Sequence, residues 1–261
     1  MKITVVTVTY NVADQLGATL ASIREQTYPD LELIVVDGGS TDGTLAVAER
    51  FAGPGVLIVS EADRGIYDAM NKGVALASGE YVNFMNAGDA FADSRVVARV
   101  AAAARTGGED YLYGNVVSVY GVGEKLAVAR PPGYVTRNKP FNHQALFARR
   151  NWLERLPFDL RYRYVADYDQ TYAAYRAGAT FRHLPLTVAR VNMTEGASKR
   201  SFWATAREKI AVNWRRAASR PAVIVYLAGH LPYLAALYGL RKLGVFEALM
   251  AWRGRRQNPD A

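Results

Sequence analysis

The run Tyr81-Val82-Asn83-Phe84-Met85-Asn86-Ala87-Gly88-Asp89 is a short apolar segment that breaks at Gly88 and delivers one carboxylate. A strand that ends in small and acidic residues at the edge of a parallel sheet sets them where α/β folds bind ligands. Asp89 is therefore expected to meet a metal ion and a diphosphate, although Asn, Gly and Asp also favour ordinary turns and a turn is the competing reading. A second carboxylate, Asp37, ends the run 31–36 and opens Gly38-Gly39-Ser40-Thr41-Asp42-Gly43-Thr44. The glycines permit close backbone approach, Ser40 or Thr41 can cap a following helix, and Asp37 can accept hydrogen bonds from a nucleobase or ribose. Further on, Tyr164-Val165-Ala166-Asp167-Tyr168-Asp169 precedes a helical run from Gln170 to Ala177. One carboxylate there suffices to take a proton from an attacking hydroxyl, with a helix cap as its alternative role. His143, within Phe141-Asn142-His143-Gln144-Ala145-Leu146-Phe147, offers a ring nitrogen to a diphosphate or a metal.

These groups form one site only if the fold gathers them. Strand-like and helix-like segments alternate at the spacing of βαβ units. Ile3 to Thr9, Leu31 to Val36, Val56 to Ser60 and Tyr81 to Met85 read as strands, and helices are expected through Leu16, Leu20 and Ile23, over 41–51 and over 66–77. In a parallel sheet the strand ends at Thr9, Asp37, Ser60 and Asp89 line one edge. Thr7-Val8-Thr9-Tyr10-Asn11 lacks the glycine fingerprint of a dinucleotide fold, which argues against an NAD enzyme. Residues 110–119 have strand character, and 121–133 read as a glycine- and proline-containing loop suited to a mobile flap.

The chain has 261 residues, half of them apolar, enough for one large core with an appendage. It contains no cysteine, which excludes disulfide and thiol chemistry and fits a reducing compartment. Its start runs straight into a strand, without the features of a signal peptide, so the cytoplasm is the expected location. Residues 199–261 hold twelve Lys and Arg against three acidic residues, whereas the first 198 hold 20 basic and 21 acidic side chains. The positive charge thus belongs to the tail, and an anionic surface is its expected partner. Within that tail, 202–220 interleaves Arg207, Lys209, Arg215 and Arg216 with Trp203, Ile210, Val212 and Trp214, and 222–240 carries no Asp, Glu, Lys or Arg. Helices lying in one leaflet at the inner face of the cell membrane are expected, with a helical subdomain or an oligomer contact as the alternative. Nucleic acid is not expected, because the basic residues accompany apolar runs and not a polar groove.

The blocks Thr7 to Asn11, Asp37 to Thr44, Asp63-Arg64-Gly65-Ile66-Tyr67-Asp68-Ala69-Met70-Asn71-Lys72-Gly73 and Asn86 to Asp89, in that order, resemble a family 2 glycosyltransferase of the GT-A fold. The wording of 61–73 is most similar to bacterial surface-polysaccharide and glycolipid transferases, including fucosyltransferase-like members. The resemblance implies inverting transfer of a sugar from a GDP- or UDP-linked donor. It implies that Thr9, Tyr10 and Asn11 lie beside the nucleotide, Asp37 and Gly38 at its base, Asp68 near base or ribose, and Lys72 toward the phosphates. It further implies that Asn86 lies with the nucleotide-sugar and that Asp89 stands on a divalent metal, Mn or Mg, with His143 as a second ligand. His143 and Gln144 would serve the acceptor half, Ser198 a loop closing over the diphosphate, and Asp167 the role of general base, with Asp169 in reserve. Three positions depart from the family pattern: Asn86 and Gly88 stand where aspartates are common, Met70 where many relatives have Arg, and Ala166 where Glu is usual.

The expected fold class is therefore α/β, a GT-A catalytic domain over 1–200, with a nucleotide-sugar half to residue 100 and an acceptor half beyond it. A helical, amphipathic extension over 201–261 would bring it to a lipid-linked or glycolipid acceptor. A non-catalytic nucleotide-sugar-binding or scaffold protein and a nucleotidyltransferase are the alternatives.

Overall fold

The computed structural model describes residues 1–121, 123–193 and 201–217 and the single positions 224, 238 and 239. Strand β1 (Ile3–Thr9) is ITVVTVT, a β-branched run buried at every position. Burial on both faces suits a central parallel strand, and β1 lies between β2 (Leu31–Asp37) and β4 (Tyr81–Phe84), with β3 (Val56–Ser60) outside β2. All three pairings are parallel. Their register sets Thr9 opposite Asp37 and Asp37 opposite Ser60, so three sequence-distant polar residues meet at one sheet edge.

The helices of this half are α1 (Ala13–Arg24), α2 (Thr44–Glu49) and α3 (Ile66–Leu76). In α1 the buried stripe is Leu16, Thr19, Leu20 and Ile23. Thr19 is the polar member, and its hydroxyl donates to the Asp89 carbonyl at 2.7 Å while accepting the Gly88 N–H at 3.0 Å.

Beyond β4 the sheet becomes mixed. The short β5 (Ala90–Phe91), helix α4 (Val96–Gly107), β6 (Tyr111–Tyr120), β7 (Gly123–Ala127), β8 (Leu146–Arg149) and β9 (Phe181–Asn192) complete the order β3-β2-β1-β4-β8-β6-β9-β5. The segment expected as a flap is in part a strand, because β7 continues β6 as an antiparallel hairpin pairing Val116 with Ala127 through Tyr120 with Gly123. Strand β8 joins β4 antiparallel. The buried Asn83 side chain donates to the carbonyls of Gln144 at 3.0 Å and Leu146 at 2.9 Å, locking the 3-10 turn His143–Ala145 against β4. Helices α5 (Arg150–Arg155) and α6 (Ala166–Arg176) follow. The α6 helix begins four residues before the expected run, so Asp167 and Asp169 lie in its first turn, where backbone N–H groups and the helix dipole favour carboxylates.

Two apolar layers sandwich the sheet. Val6, Ile34, Phe84 and Tyr111 meet the α3, α5 and α6 side, and Val5, Val35, Tyr81 and Phe147 meet the α1 and α4 side. The packed body continues past residue 200. Helix α7 (Phe202–Arg216) buries Val212 and Asn213, and Asn213 accepts from the Tyr168 hydroxyl at 2.9 Å. Glu208 accepts from the backbone of Arg163 and Tyr164 at 3.0 and 2.8 Å. Arg216 grips buried Asp169 through two bonds of 2.8 and 2.7 Å. Removing one partner of a buried ion pair strands the other. Arg216→Ala is therefore expected to cost roughly 3 kcal/mol in urea denaturation, and a loss below about 0.5 kcal/mol, the scale of an ordinary surface substitution, would deny α7 its part in the fold. Apart from positions 224, 238 and 239, the remainder of the expected membrane-seeking tail lies outside the described residues. Among the described residues no helix is long and apolar enough to cross a membrane.

Candidate active site

At one end of the sheet edge the loops after β1 and β2 are stitched into a single cradle. Asp37 is fully buried, and its carboxylate accepts from Thr9 Oγ1 at 3.1 Å, Ser60 Oγ at 2.6 Å, the N–H groups of Gly39 and Ser40 at 3.2 and 3.0 Å, and the Ser40 hydroxyl. Burial raises its pKa, but these donors outweigh burial and hold it below the usual carboxylate value. Asn11, in the left-handed region at φ 51°, completes the stitching: its N–H donates to Ser40 Oγ at 2.9 Å and its Oδ1 accepts from the Thr41 N–H at 2.9 Å. Tyr10 stands beside this cradle with 61% of its surface exposed. Asp37 thus shapes the loop that would meet a base, through donors from the ends of β1, β2 and β3.

Asp63 takes the neighbouring position. Its Oδ1 accepts from the Gly65 N–H at 2.7 Å, and its Oδ2 would lie 2.4 Å from a Cβ on residue 38, so glycine there lets the Asp63 carboxylate approach the loop in this orientation. Asp68 and Lys72 brace the same loop. Asp68 accepts from the Arg64 backbone at 3.0 Å and the Arg64 guanidinium at 2.9 Å, while Lys72 pairs with Glu61 at 2.8 Å and donates to the Ala62 carbonyl at 2.8 Å. Neither reaches toward the second group of residues described next.

That group gathers around the ends of β4 and β9, the 143–145 turn and α6. Gly88, at φ +91°, turns the chain so that Asp89 is buried. The two oxygens of Asp89 accept from Gln144 Nε2 at 2.7 Å and from the Asn192 N–H at 2.9 Å. His143 lies 3.0 Å from Asn86 Nδ2 through Nε2 and 3.0 Å from Asp167 Oδ2 through Nδ1. These partners assign Nδ1–H as the donor to Asp167 and leave Nε2 accepting from Asn86. Asp167 Oδ2 also takes the Lys139 ammonium, and its Oδ1 accepts from Tyr67 OH at 3.1 Å and the Tyr168 N–H at 2.8 Å.

The two carboxylates are tuned in opposite directions. Burial raises the Asp89 pKa, and Gln144, the Asn192 N–H and the nearby His143 and Lys139 only partly offset it. Burial also acts to raise Asp167, but Lys139 and His143 more than reverse that and hold it far below the usual carboxylate range. Asp89 is thus a carboxylate short of positive charge and Asp167 one supplied with it.

Among the described residues no group of three or more His, Cys, Asp or Glu side chains could by itself hold a metal ion. The donors present still suit a cation completed by substrate phosphates. Asp89 is only partly compensated by its neighbours and Asn86 Oδ1 is buried without a hydrogen-bond partner among the described residues, whereas the Nε2 lone pair of His143 is held by Asn86 Nδ2 and would reach a cation only on its release.

The structure brings together Asn86, Asp89, His143, Gln144 and Asp167 as one group and Thr9, Tyr10, Asn11, Asp37 and Gly38 as another. Ser198 lies outside the described residues. Lys139, Tyr67 and Asp63 were absent from the sequence-based candidates. Asp63 and Tyr67 lay within the 63–73 block itself, whereas nothing local marks Lys139.

The sequence profile described as Glycosyl transferase family 2 matches residues 4–180. A "PGL/p-HBAD biosynthesis glycosyltransferase" of Mycobacterium bovis is 38% identical over 196 residues, 73% of this chain and 76% of the relative. Among solved structures, S. aureus TarS 1-349 in complex with UDP-GlcNAc superposes with a TM-score of 0.69 at 20% identity, covering 88% of this chain and 72% of that one. The mannosyltransferase PcManGT from Pyrobaculum calidifontis, in complex with GDP-Man and Mn2+, superposes with a TM-score of 0.60 at 21% identity, covering 100% of this chain and 88% of that one.

Proposed function

The chain belongs to glycosyl transferase family 2, whose profile covers residues 4–180, and from that premise we propose that it transfers a sugar from a nucleoside-diphosphate donor to a lipid-linked or glycolipid acceptor with inversion at the anomeric carbon. The observation that carries this reading is the hydrogen-bonded line Asn86–His143–Asp167 beside buried Asp89, at the same sheet edge as the Thr9–Asp37–Ser60 cradle. The cradle would hold the nucleoside, with exposed Tyr10 available to stack on the base. Asp89 and the orphaned amide oxygen of Asn86 would hold a divalent cation, Mn or Mg, with His143 joining them only if Asn86 Nδ2 releases its Nε2; when bound, the cation neutralises charge on the leaving diphosphate.

Asp167 would accept the proton of the acceptor hydroxyl as that oxygen bonds to the anomeric carbon and the carbon–phosphate oxygen bond breaks. Inversion needs a single base and no enzyme nucleophile. Held ionised by its neighbours, Asp167 keeps its orientation through the Tyr168 N–H and Tyr67.

A thermal-shift panel of UDP, GDP, dTDP and CMP, each with Mn²⁺, Mg²⁺ or EDTA, tests the donor site. A ligand that binds only the native state at about 100 times its Kd stabilises by about 2.7 kcal/mol, so one diphosphate is expected to raise Tm when metal is present. A flat panel would remove the donor-binding reading and favour a scaffold role.

Residence at the inner face of the cell membrane is part of the same proposal. Trp203, Arg207, Ala211 and Trp214 are exposed along one stripe of α7, an aromatic and cationic face suited to an anionic interface. Vesicles rich in anionic lipid are expected to co-sediment the protein, and the double substitution Trp203→Ser and Trp214→Ser to abolish most of that binding. Equal binding by the two proteins would exclude this face.

A further inference from the structure

A carboxylate offers about four lone-pair sites, and Asp167 has all of them occupied. Oδ1 takes Tyr67 OH and the Tyr168 N–H, and Oδ2 takes His143 Nδ1 and the Lys139 ammonium. A general base in this condition has no place for a substrate proton, so one donor must leave. Three of the four are fixed. The Tyr168 N–H is backbone in the first turn of α6, the Tyr67 side chain is buried, and His143 is clamped from its other side by Asn86. Lys139 differs, because its ammonium rides on a flexible four-carbon stem and its side chain is 28% exposed.

Lys139 also has somewhere to go. Its ammonium bonds Asp167, and its charge also reaches Asp89, the carboxylate assigned to the diphosphate end. Lys209 of α7, half-buried, donates to the side chain of Asn138, the residue before Lys139, at 3.1 Å. Lys139 and Lys209 repel one another, and the dianion of a bound donor would offer Lys139 a second anionic partner.

We propose that Lys139 is a positioning residue that alternates between Asp167 and the diphosphate of the bound donor, so that donor binding itself uncovers the Asp167 lone pair that receives the acceptor's proton. The inference rests on the donor reading given above. It makes Lys139 a link between occupancy of the nucleotide site and readiness of the base, and it gives α7 a part in that link through Lys209.

The test is calorimetric titration with Mn²⁺ of UDP against uridine, and GDP against guanosine, into the wild type, Lys139→Met, Asp167→Asn and the double variant. Lys139→Met is expected to weaken the diphosphate about tenfold and leave the nucleoside unchanged, a split that a general loss of structure cannot produce. Asp167→Asn, which removes the competing anion, is expected to tighten the diphosphate at least threefold, and to do so only where Lys139 is present. Unchanged diphosphate binding by Lys139→Met, equal loss for nucleoside and diphosphate, or the same tightening in both backgrounds would each overturn the proposal. Failure of the wild type to bind either diphosphate would instead remove the donor reading and this inference with it. Should Lys139→Met not fold, as judged by its circular dichroism, Lys139→Gln retains a donor to Asp167 without the charge and replaces it in the same cycle.

Discussion

Asp167→Asn is expected to lower kcat by about 10²–10⁴-fold, the contribution typical of a positioned general base, with nucleoside diphosphate bound at least as tightly as by the wild type. Asparagine has nearly the shape of aspartate, and the Tyr67 hydroxyl and the Tyr168 N–H can still reach its carbonyl oxygen. What it lacks is the capacity to take a proton. Stability supplies an independent check of the same residue. Its folded pKa lies below its unfolded one, so ionisation of Asp167 stabilises the fold above about pH 4 and that stabilisation is lost as the pH falls through the folded value. At pH 7 the variant should therefore melt below the wild type, and the gap should narrow on acidification. Turnover within tenfold of the wild type would remove Asp167 from the role and pass it to Asp169. Asp169 is poorly placed to receive it, because both of its oxygens are held by Arg216.

Asp89→Asn is expected to separate stability from binding in the opposite sense. Here burial wins, so the folded pKa is raised and the fold is penalised increasingly as the pH climbs from the unfolded value through the folded one. Removing the charge relieves that penalty. The Gln144 amide can rotate to offer its oxygen to the new Nδ2, and Asn192 N–H keeps an acceptor. At pH 7, without nucleotide or metal, Tm is expected to rise by about 2–4 °C, corresponding to roughly 1 kcal/mol in a protein of this size. The same variant should lose at least tenfold in Mn²⁺-dependent nucleotide affinity, because the cation would then have lost its one carboxylate ligand. A lower Tm would show Asp89 to be a structural anion. Unchanged metal-dependent affinity would remove its assigned role.

The parts of this site that were legible in the sequence are those set by local chemistry. Runs such as Ile3–Thr9 and Leu31–Asp37 are rich in β-branched residues, and parallel pairing then fixes which ends lie together, so the edge bearing Thr9, Asp37 and Ser60 follows almost directly. The resemblance added Gln144 and singled out Asp167 over Asp169, and the fold brings both, with His143, to Asp89. What escaped was decided by side-chain reach and not by position. Asp37 reads as a ligand-facing acid, and what the sequence does not show is that five donors from three loops also make it the tie that holds the cradle together. Lys72 looks free on a helix, yet Glu61 and the Ala62 carbonyl hold it. Lys139 sits in a polar connection with no periodicity and no motif, and only the fold sets it against Asp167. The helix α7 shows a related limit: its mixture of Trp and Arg suggested an interface, but Asn213, Glu208 and Arg216 turn one face of it into the body. Polar residues on an amphipathic helix can be partners of a core as readily as of water.

The measurement that tests the account most directly is a crystal structure with the nucleoside diphosphate selected by the thermal-shift panel and Mn²⁺. The account predicts the base beside Tyr10 and the Asp37–Thr41 loop, Mn²⁺ within coordination distance of Asp89, and the diphosphate running toward His143 with Lys139 on its oxygens. A nucleotide bound away from this sheet edge, or a diphosphate remote from Asp89 and His143, would contradict it.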